Sequence, residues 1–189
     1  MSTQLVVCLM GRKKVGMDTV ADRLVQEHGF VRAAFADPIK DGLVTMLRDY
    51  GVTRDWFDLP HLKDTVIPAL GVTARHLMTT LGTEWGQDMV ARLLWVDALV
   101  LRLQGALAPH ARVVVTDCRF LHEERRMASF GAEMWNITRP GYADGAHRSE
   151  NEAIGTAASL RLHNDADIAA LHRKVDAQVA HLEARYGIS

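Results

Sequence analysis

The most constraining stretch of this chain is a change of period near its start. Leu5 to Met10 is an unbroken apolar run, and Thr19, Val20, Ala21, Leu24 and Val25 recur at helical spacing soon after it. Between them lies Gly11-Arg12-Lys13-Lys14-Val15-Gly16, with four residues separating the two glycines. A short apolar run fits a strand buried on both faces, and the pattern after it fits an amphipathic helix. Glycines let the connecting backbone curl so that successive N–H groups point at one spot, and the helix N-terminus adds partial positive charge there. The stretch therefore reads as a phosphate-binding loop. An ordinary glycine-containing turn from strand to helix is the plainer alternative.

The rest of the chain repeats this alternation. A helix over about 17–28 stops near Gly29, and a short strand is expected over 31–35. A second helix follows, with Asp37 as its N-cap, Pro38 at the first helical position, and Ile39, Leu43, Met46 and Leu47 on one side. Periodicity fades from Val52 to Gly71, where a loop or short helical excursion is expected. It returns with Thr73 as a cap, breaks at Leu81-Gly82-Thr83-Glu84-Trp85-Gly86, and resumes as a helix from about Gln87 to Leu107. Strands are expected at 113–117, 133–138 and 160–163, with helices over 121–130 and from Asp167 to about Tyr186. Strands alternating with helices predict an α/β fold with a mostly parallel central sheet and helices on both faces. In such sheets ligands gather at the carboxyl ends of strands. The glycine loop, Asp37, Asp117, Arg139 and Asn164 all fall at strand ends on this pattern.

At 189 residues the chain fits one domain, and its net charge of −1 offers no attraction to duplex nucleic acid or an anionic membrane. Any anion site must be local. The two cysteines, Cys8 and Cys118, stand in apolar strand-like runs and fit buried thiols in a reducing compartment. No signal peptide and no membrane span is expected, so the expected location is cytoplasmic. The nine histidines show no metal-ligand spacing with cysteines or carboxylates.

Several residues have the chemistry to serve a bound phosphate. Asp117 ends an apolar strand, where a carboxylate can hold Mg²⁺ or an ordered water; capping the helix that begins near Leu121 is its other reading. Arg119 can pair with a substrate phosphate or stand on the surface. Arg139, before Pro140-Gly141, can serve a phosphate or pair with a nearby carboxylate. His147-Arg148-Ser149-Glu150 lies in a polar stretch that can bring an arginine onto a transferring phosphate. The same stretch also reads as a solvated loop, or as a helix start with Ser149 as cap and Glu152 completing a capping box. Lys40 and Arg75 are helix-borne cations that, taken singly, read as surface charges.

Assembled in order, these pieces resemble a phage-type deoxynucleoside monophosphate kinase. The resemblance rests on the loop Gly11 to Thr19, Phe35-Ala36-Asp37-Pro38-Ile39-Lys40, Arg75 with Leu81-Gly82-Thr83-Glu84-Trp85-Gly86, and Trp95. It continues through Asp117-Cys118-Arg119-Phe120, Arg139-Pro140-Gly141, His147-Arg148-Ser149-Glu150 and Asn164-Asp165. It implies a three-layer P-loop kinase fold, a helical substrate-binding region over about 37–108, and a lid over about 140–155. It implies ATP and Mg²⁺ as cofactors, a dNMP acceptor, a dNDP product, a homodimer, and a host-cytoplasmic location if the chain is phage-encoded. On this mapping Gly11, Lys13, Lys14, Gly16, Met17, Asp18 and Thr19 cradle the ATP phosphates, with Arg139 and Asn164 nearer the ATP. Asp37, Lys40, Arg75, Gly82, Thr83, Glu84 and Trp85 form the acceptor side, joined by Arg119. Asp117, Arg119, Arg148 and Lys14 would carry catalysis, and Asp18 and Asp117 would hold the metal.

Two positions depart from the family. Met17 stands where the family has Lys, and Val15 where it usually has Ser. Losing one transition-state donor of this kind costs about 3–4 kcal/mol, or roughly 10²–10³ in rate. Lys13 or Lys14 can replace the missing cation, or the arginines can suffice. The alternatives are a pseudokinase that binds nucleotide with little turnover, and a kinase acting on a non-nucleotide phosphate. Trp56, Phe57, Trp85 and Trp95 suit a base-stacking acceptor, and equally suit core packing.

Overall fold

A computed structural model describes residues 4–106, 111–142 and 157–187. By contacts the chain forms two compact units, one of residues 1–34 and 102–189 and one of residues 35–101.

The first unit is built on a five-stranded, all-parallel sheet in the order β2-β5-β1-β6-β7. Its strands are β1 (Leu5–Gly11), β2 (Val31–Ala33), β5 (Arg112–Cys118), β6 (Glu133–Thr138) and β7 (Leu160–His163). Every residue of β1 is buried, which is why its sequence is an apolar run rather than an alternation. One face, carrying Leu5, Val7, Leu9, Trp135 and Ile137, packs with α1 (Met17–His28) and α8 (Ile168–Tyr186) through Leu24, Leu171, Val175 and Val179. α7 (Leu121–Phe130) joins β5 to β6. Glycines at 29 and 131 close α1 and α7 in the left-handed conformation, as the spacing of these helices predicts, and Gly187 closes α8 in the same way. Cys8 and Cys118 are buried free thiols on neighbouring strands.

The register brings the carboxyl ends of the central strands level. Gly11 pairs with Ile137, Met10 with Cys118, and Thr138 with His163. The loops that begin at Arg12, Arg119, Arg139 and Asn164 therefore leave one edge of the sheet.

The second unit is mainly helical. It contains α2 (Ala36–Leu47), a 3₁₀ turn (Arg48–Tyr50), α3 (Asp55–Asp58), α4 (Pro60–Lys63), a two-stranded hairpin of β3 (Val66–Ile67) and β4 (Val72–Thr73), and α5 (Ala74–Thr79). A π-helix over Thr80–Val90 follows, then α6, Leu94–Ala106, whose last residues belong to the first unit. Ile39, Leu43, Val52, Phe57, Ile67 and Ala74 form its core, with Trp56 and Trp95 packed against them.

Some local expectations need correction. α2 begins at Ala36 with Phe35 as N-cap, so Asp37 lies inside the first turn and Pro38 one residue further in. Proline is tolerated there because the first-turn N–H groups have no intrahelical acceptor. Met46 is 59% exposed rather than on the buried side. The 81–86 stretch is not a break: it lies within the π-helix, and the interruption falls at 91–93. The 52–71 region holds two short helices and a hairpin. Thr73 does cap α5, accepting the His76 N–H at 3.1 Å.

Candidate phosphate-binding and catalytic site

The glycine loop takes its shape from apolar packing. Val15 is 2% exposed and belongs to the core cluster shared by β1, α1 and α8. A Cβ on Gly11 would lie 2.7 Å from the Ile137 carbonyl oxygen and 2.8 Å from Val15 Cγ2, so only glycine lets the strand end and the loop approach this closely. Gly16 has φ +108°, and a Cβ there would meet Asn164 Nδ2 at 2.7 Å. Asn164 Nδ2 donates to the Val15 carbonyl at 2.9 Å, while the Asn164 N–H donates to Thr138 O at 2.8 Å. Asn164 thus ties the loop to the ends of β6 and β7. This contact places Asn164 beside the glycine loop.

Lys13 and Lys14 are exposed, and Lys14 is the one non-glycine residue with positive φ, at 68°, among the described residues. α1 starts at Met17 from Gly16 with no side chain capping it, which suits an N-terminus that takes an anionic ligand. Met17 is partly buried and packs against the core cluster, so its side chain is spent on apolar contact. Asp18 is 90% exposed, with Arg32 Nη1 at 3.7 Å, and Thr19 is half-buried.

On the neighbouring strand, Asp117 lies within β5 and is half-buried. It is not the cap of α7. The N-cap position is Phe120, and Glu123 of the first turn accepts the N–H groups of Arg119 at 2.8 Å and Phe120 at 3.0 Å. Burial pushes the Glu123 carboxyl up to about 7, with Asp117 adding to the push and the two backbone donors opposing it. Arg119 is exposed. The Cys8 thiol, together with burial, holds the Cys118 thiol well above its ordinary range, which keeps it inert. Arg139 is exposed and stacks its guanidinium 5.1 Å from the Tyr142 ring centroid. Arg148 and residues 143–155 of the expected lid lie outside the described residues, as do Ser149 and Glu152.

Among the described residues no three His, Cys, Asp or Glu side chains gather into a metal-binding cluster. A Mg²⁺ held chiefly by phosphates and one or two carboxylates needs no such cluster, so Asp18 and Asp117 remain compatible with it.

In the second unit, Asp37 and Lys40 sit in an ion-pair network. Arg54 Nη2 donates to Asp37 at 2.5 Å, its Nε to Asp58 at 3.0 Å, and its Nη1 to Asp41. Lys40 Nζ donates to Asp58 at 2.7 Å and lies 3.9 Å from Asp37. Against the upward push of burial, Lys40 and Arg54 hold the Asp58 carboxyl below its ordinary value. Arg54 carries no motif that singles it out; its i,i+4 relation to Asp58 was the one visible signal. Arg75 is exposed and pairs with Asp64, with Nη2 3.0 Å from the carboxylate.

The π-helix closes around Trp95. Trp95 Nε1 donates to the Gly82 carbonyl at 2.8 Å, and a Cβ on Gly86 would fall 2.3 Å from that same nitrogen. Trp85 is 46% exposed, its ring centroid 6.3 Å from that of Trp95. Thr83 and Glu84 are exposed beside it.

The model of the deoxynucleotide monophosphate kinase family matches residues 59–175. The chain belongs to that family. A protein of Acanthamoeba polyphaga mimivirus assigned as a deoxynucleotide monophosphate kinase is 30% identical over 168 residues, spanning 78% of this chain and 81% of that one. Two solved structures overlap more loosely, each with a TM-score of 0.45. They are an APS kinase CysC variant of Mycobacterium tuberculosis, 16% identical over 95% of this chain and 99% of its own, and a protein of Chloroflexus aurantiacus assigned as a kinase, 13% identical over 96% and 98%. Membership of the family gives the chain a kinase role in nucleotide metabolism. No described helix is long and apolar enough to cross a membrane.

Proposed function

We propose that this protein transfers the γ-phosphoryl group of ATP to a deoxynucleoside monophosphate, giving the diphosphate, at a rate limited by the apolar residue at position 17. The observation that carries the proposal is the glycine loop itself. Gly11 and Gly16 are sterically required, the loop is braced by Val15 and Asn164, and α1 begins behind it without a side-chain cap. Family membership supports a nucleotide as the ligand of that loop.

The division of labour follows from what each side chain has left to offer. The backbone from Lys13 to Thr19 would take the ATP phosphates, with Lys13 and Lys14 supplying charge from the exposed side of the loop. Asp18 and Asp117 are the carboxylates to hold Mg²⁺, which would neutralise phosphate charge when bound. Arg119, exposed at the end of β5, would stabilise charge on the transferring group, as Arg148 would. Asp37, Lys40, Arg75 and the segment Gly82 to Trp85 are assigned to the acceptor, with Trp85 offering a face on which a base can stack. No covalent intermediate is needed, since positioning and charge stabilisation suffice for phosphoryl transfer.

One observation favours a second reading. Met17 is packed against the core and brings neither donor nor charge to the loop, which fits a member that binds nucleotide but turns over little. An ADP-release assay with ATP, Mg²⁺ and dAMP, dGMP, dCMP, dTMP or modified pyrimidine monophosphates decides between them. Turnover with one acceptor supports the kinase; nucleotide binding without turnover on any acceptor supports the pseudokinase.

A further inference from the structure

The link between β5 and α7 consists of Arg119 and Phe120 alone. Both of its N–H groups donate to one atom, Oε2 of Glu123, at 2.8 and 3.0 Å. Glu123 is 5% exposed, whereas the Arg119 side chain emerges to solvent from the backbone that Glu123 grips. Helix capping does not account for this arrangement. In a capping box the side chain at the third helical position accepts only the N-cap N–H, here that of Phe120, and the N-cap side chain returns a bond that phenylalanine has no oxygen to make. The second bond reaches one residue further, to the amide of the arginine. Burying a carboxylate also costs more than a cap returns.

We propose that Glu123 is a positioning residue for Arg119, fixing its peptide so that the guanidinium is held ready for the transferring phosphoryl group. The role rests on the kinase reading given above. Two hydrogen bonds to one buried acceptor remove the freedom of both peptide planes in a two-residue link. The arginine therefore loses little freedom when it engages a phosphate, which is how rigid supporting contacts raise turnover rather than affinity.

The test is a set of variants assayed for ADP release, with melting temperature recorded for each. Glu123→Ala is expected to lower kcat at least tenfold while changing KM for ATP and dNMP less than threefold. Glu123→Gln keeps an acceptor for both N–H groups and is expected to recover kcat to within about threefold of the parent. In an Arg119→Ala background, Glu123→Ala is expected to have no further effect on kcat. Equal losses with and without Arg119, or a Glu123→Ala enzyme with the parent's kcat, overturn the proposal. Amide hydrogen exchange at Arg119 and Phe120 tests the grip without turnover: exchange unchanged by Glu123→Ala also overturns it. Absence of turnover in the parent protein would instead overturn the kinase reading, and with it the role of Arg119 in transfer.

Discussion

Asn164, at the end of β7, donates its side-chain amide to the carbonyl of Val15 in the glycine loop at 2.9 Å, across 149 positions of sequence. Its Nδ2 also occupies the space that a side chain at Gly16 would need. Replacing Asn164 by Ala removes a partly buried hydrogen bond worth about 1 kcal/mol and leaves a gap beside the loop. The expected outcome is a three- to tenfold weaker Kd for ADP by calorimetry, with a modest fall in Tm. An unchanged Kd would mean that the loop holds its shape without this brace.

Gly16→Ala addresses the same contact from the other side. At φ +108° an alanine is strained by about 1–2 kcal/mol, and its Cβ collides with the Asn164 amide. Nucleotide binding should fall by at least tenfold in a folded protein, as read by calorimetry alongside circular dichroism. The double variant Gly16→Ala with Asn164→Ala should recover part of the loss, because the collision is gone while the backbone strain remains.

Met17→Lys separates binding from chemistry. The lysine gives up a half-buried apolar contact, costing about 1 kcal/mol of stability. If the missing cation limits transfer, kcat should rise by about 10–10². A kcat that stays at the parent value would show that Lys13, Lys14 or the arginines already supply the charge.

Acid should loosen the pairing of α1 with α8. Asp176 accepts two bonds from Arg23, at 2.8 and 2.9 Å, and one from His28 at 2.8 Å. Arg23, with help from His28, holds the carboxyl down at about 2 against the opposing effect of burial. The folded value lies below the unfolded one, so the stabilisation is present above about pH 4 and is lost as pH falls toward 2. With the side chain about a third exposed, screening reduces the effect to about 1 kcal/mol. Asp176→Asn should lower Tm at pH 6 and flatten its fall between pH 4 and 2.

Gly86→Ala probes the π-helix. The added methyl would fall 2.3 Å from Trp95 Nε1, so the turn must open or the indole must leave the Gly82 carbonyl. Tryptophan fluorescence should shift, and KM for the dNMP should rise more than KM for ATP. A rise confined to ATP would remove the Trp85 segment from the acceptor side.

The sheet and its flanking helices were legible because their signals are local. β1 and β6 are buried strands bounded by polar or glycine residues, and α1 and α7 end at Gly29 and Gly131, which adopt the left-handed conformation expected of them. The π-helix was not legible: Gly82 and Gly86 read locally as breakers, and long-range packing explains them within a helix, since a Cβ on Gly86 would meet Trp95 Nε1 at 2.3 Å and one on Gly82 would meet Ile39 Cδ1 at 3.0 Å. Asp37 looked like a cap because Asp-Pro is a helix-start pair, yet the helix begins two residues earlier than that pair implies, at Ala36. At the candidate site the glycine loop was visible from its spacing. The supports around it were not: Asn164 to Val15 and Arg54 to Asp37 are long-range contacts with no local trace. Glu123 lay in view three residues after Phe120, but nothing in the sequence distinguished its grip on Arg119 from an ordinary surface carboxylate.

Val15 in the core has a consequence for how such a protein can change over generations. With the loop anchored by a hydrophobic side chain and braced by an amide, its curvature does not depend on a phosphate-facing lysine. On the proposed kinase reading, position 17 can then drift toward an apolar residue while the cradle persists, so ligand capture and catalytic speed would be separately heritable traits.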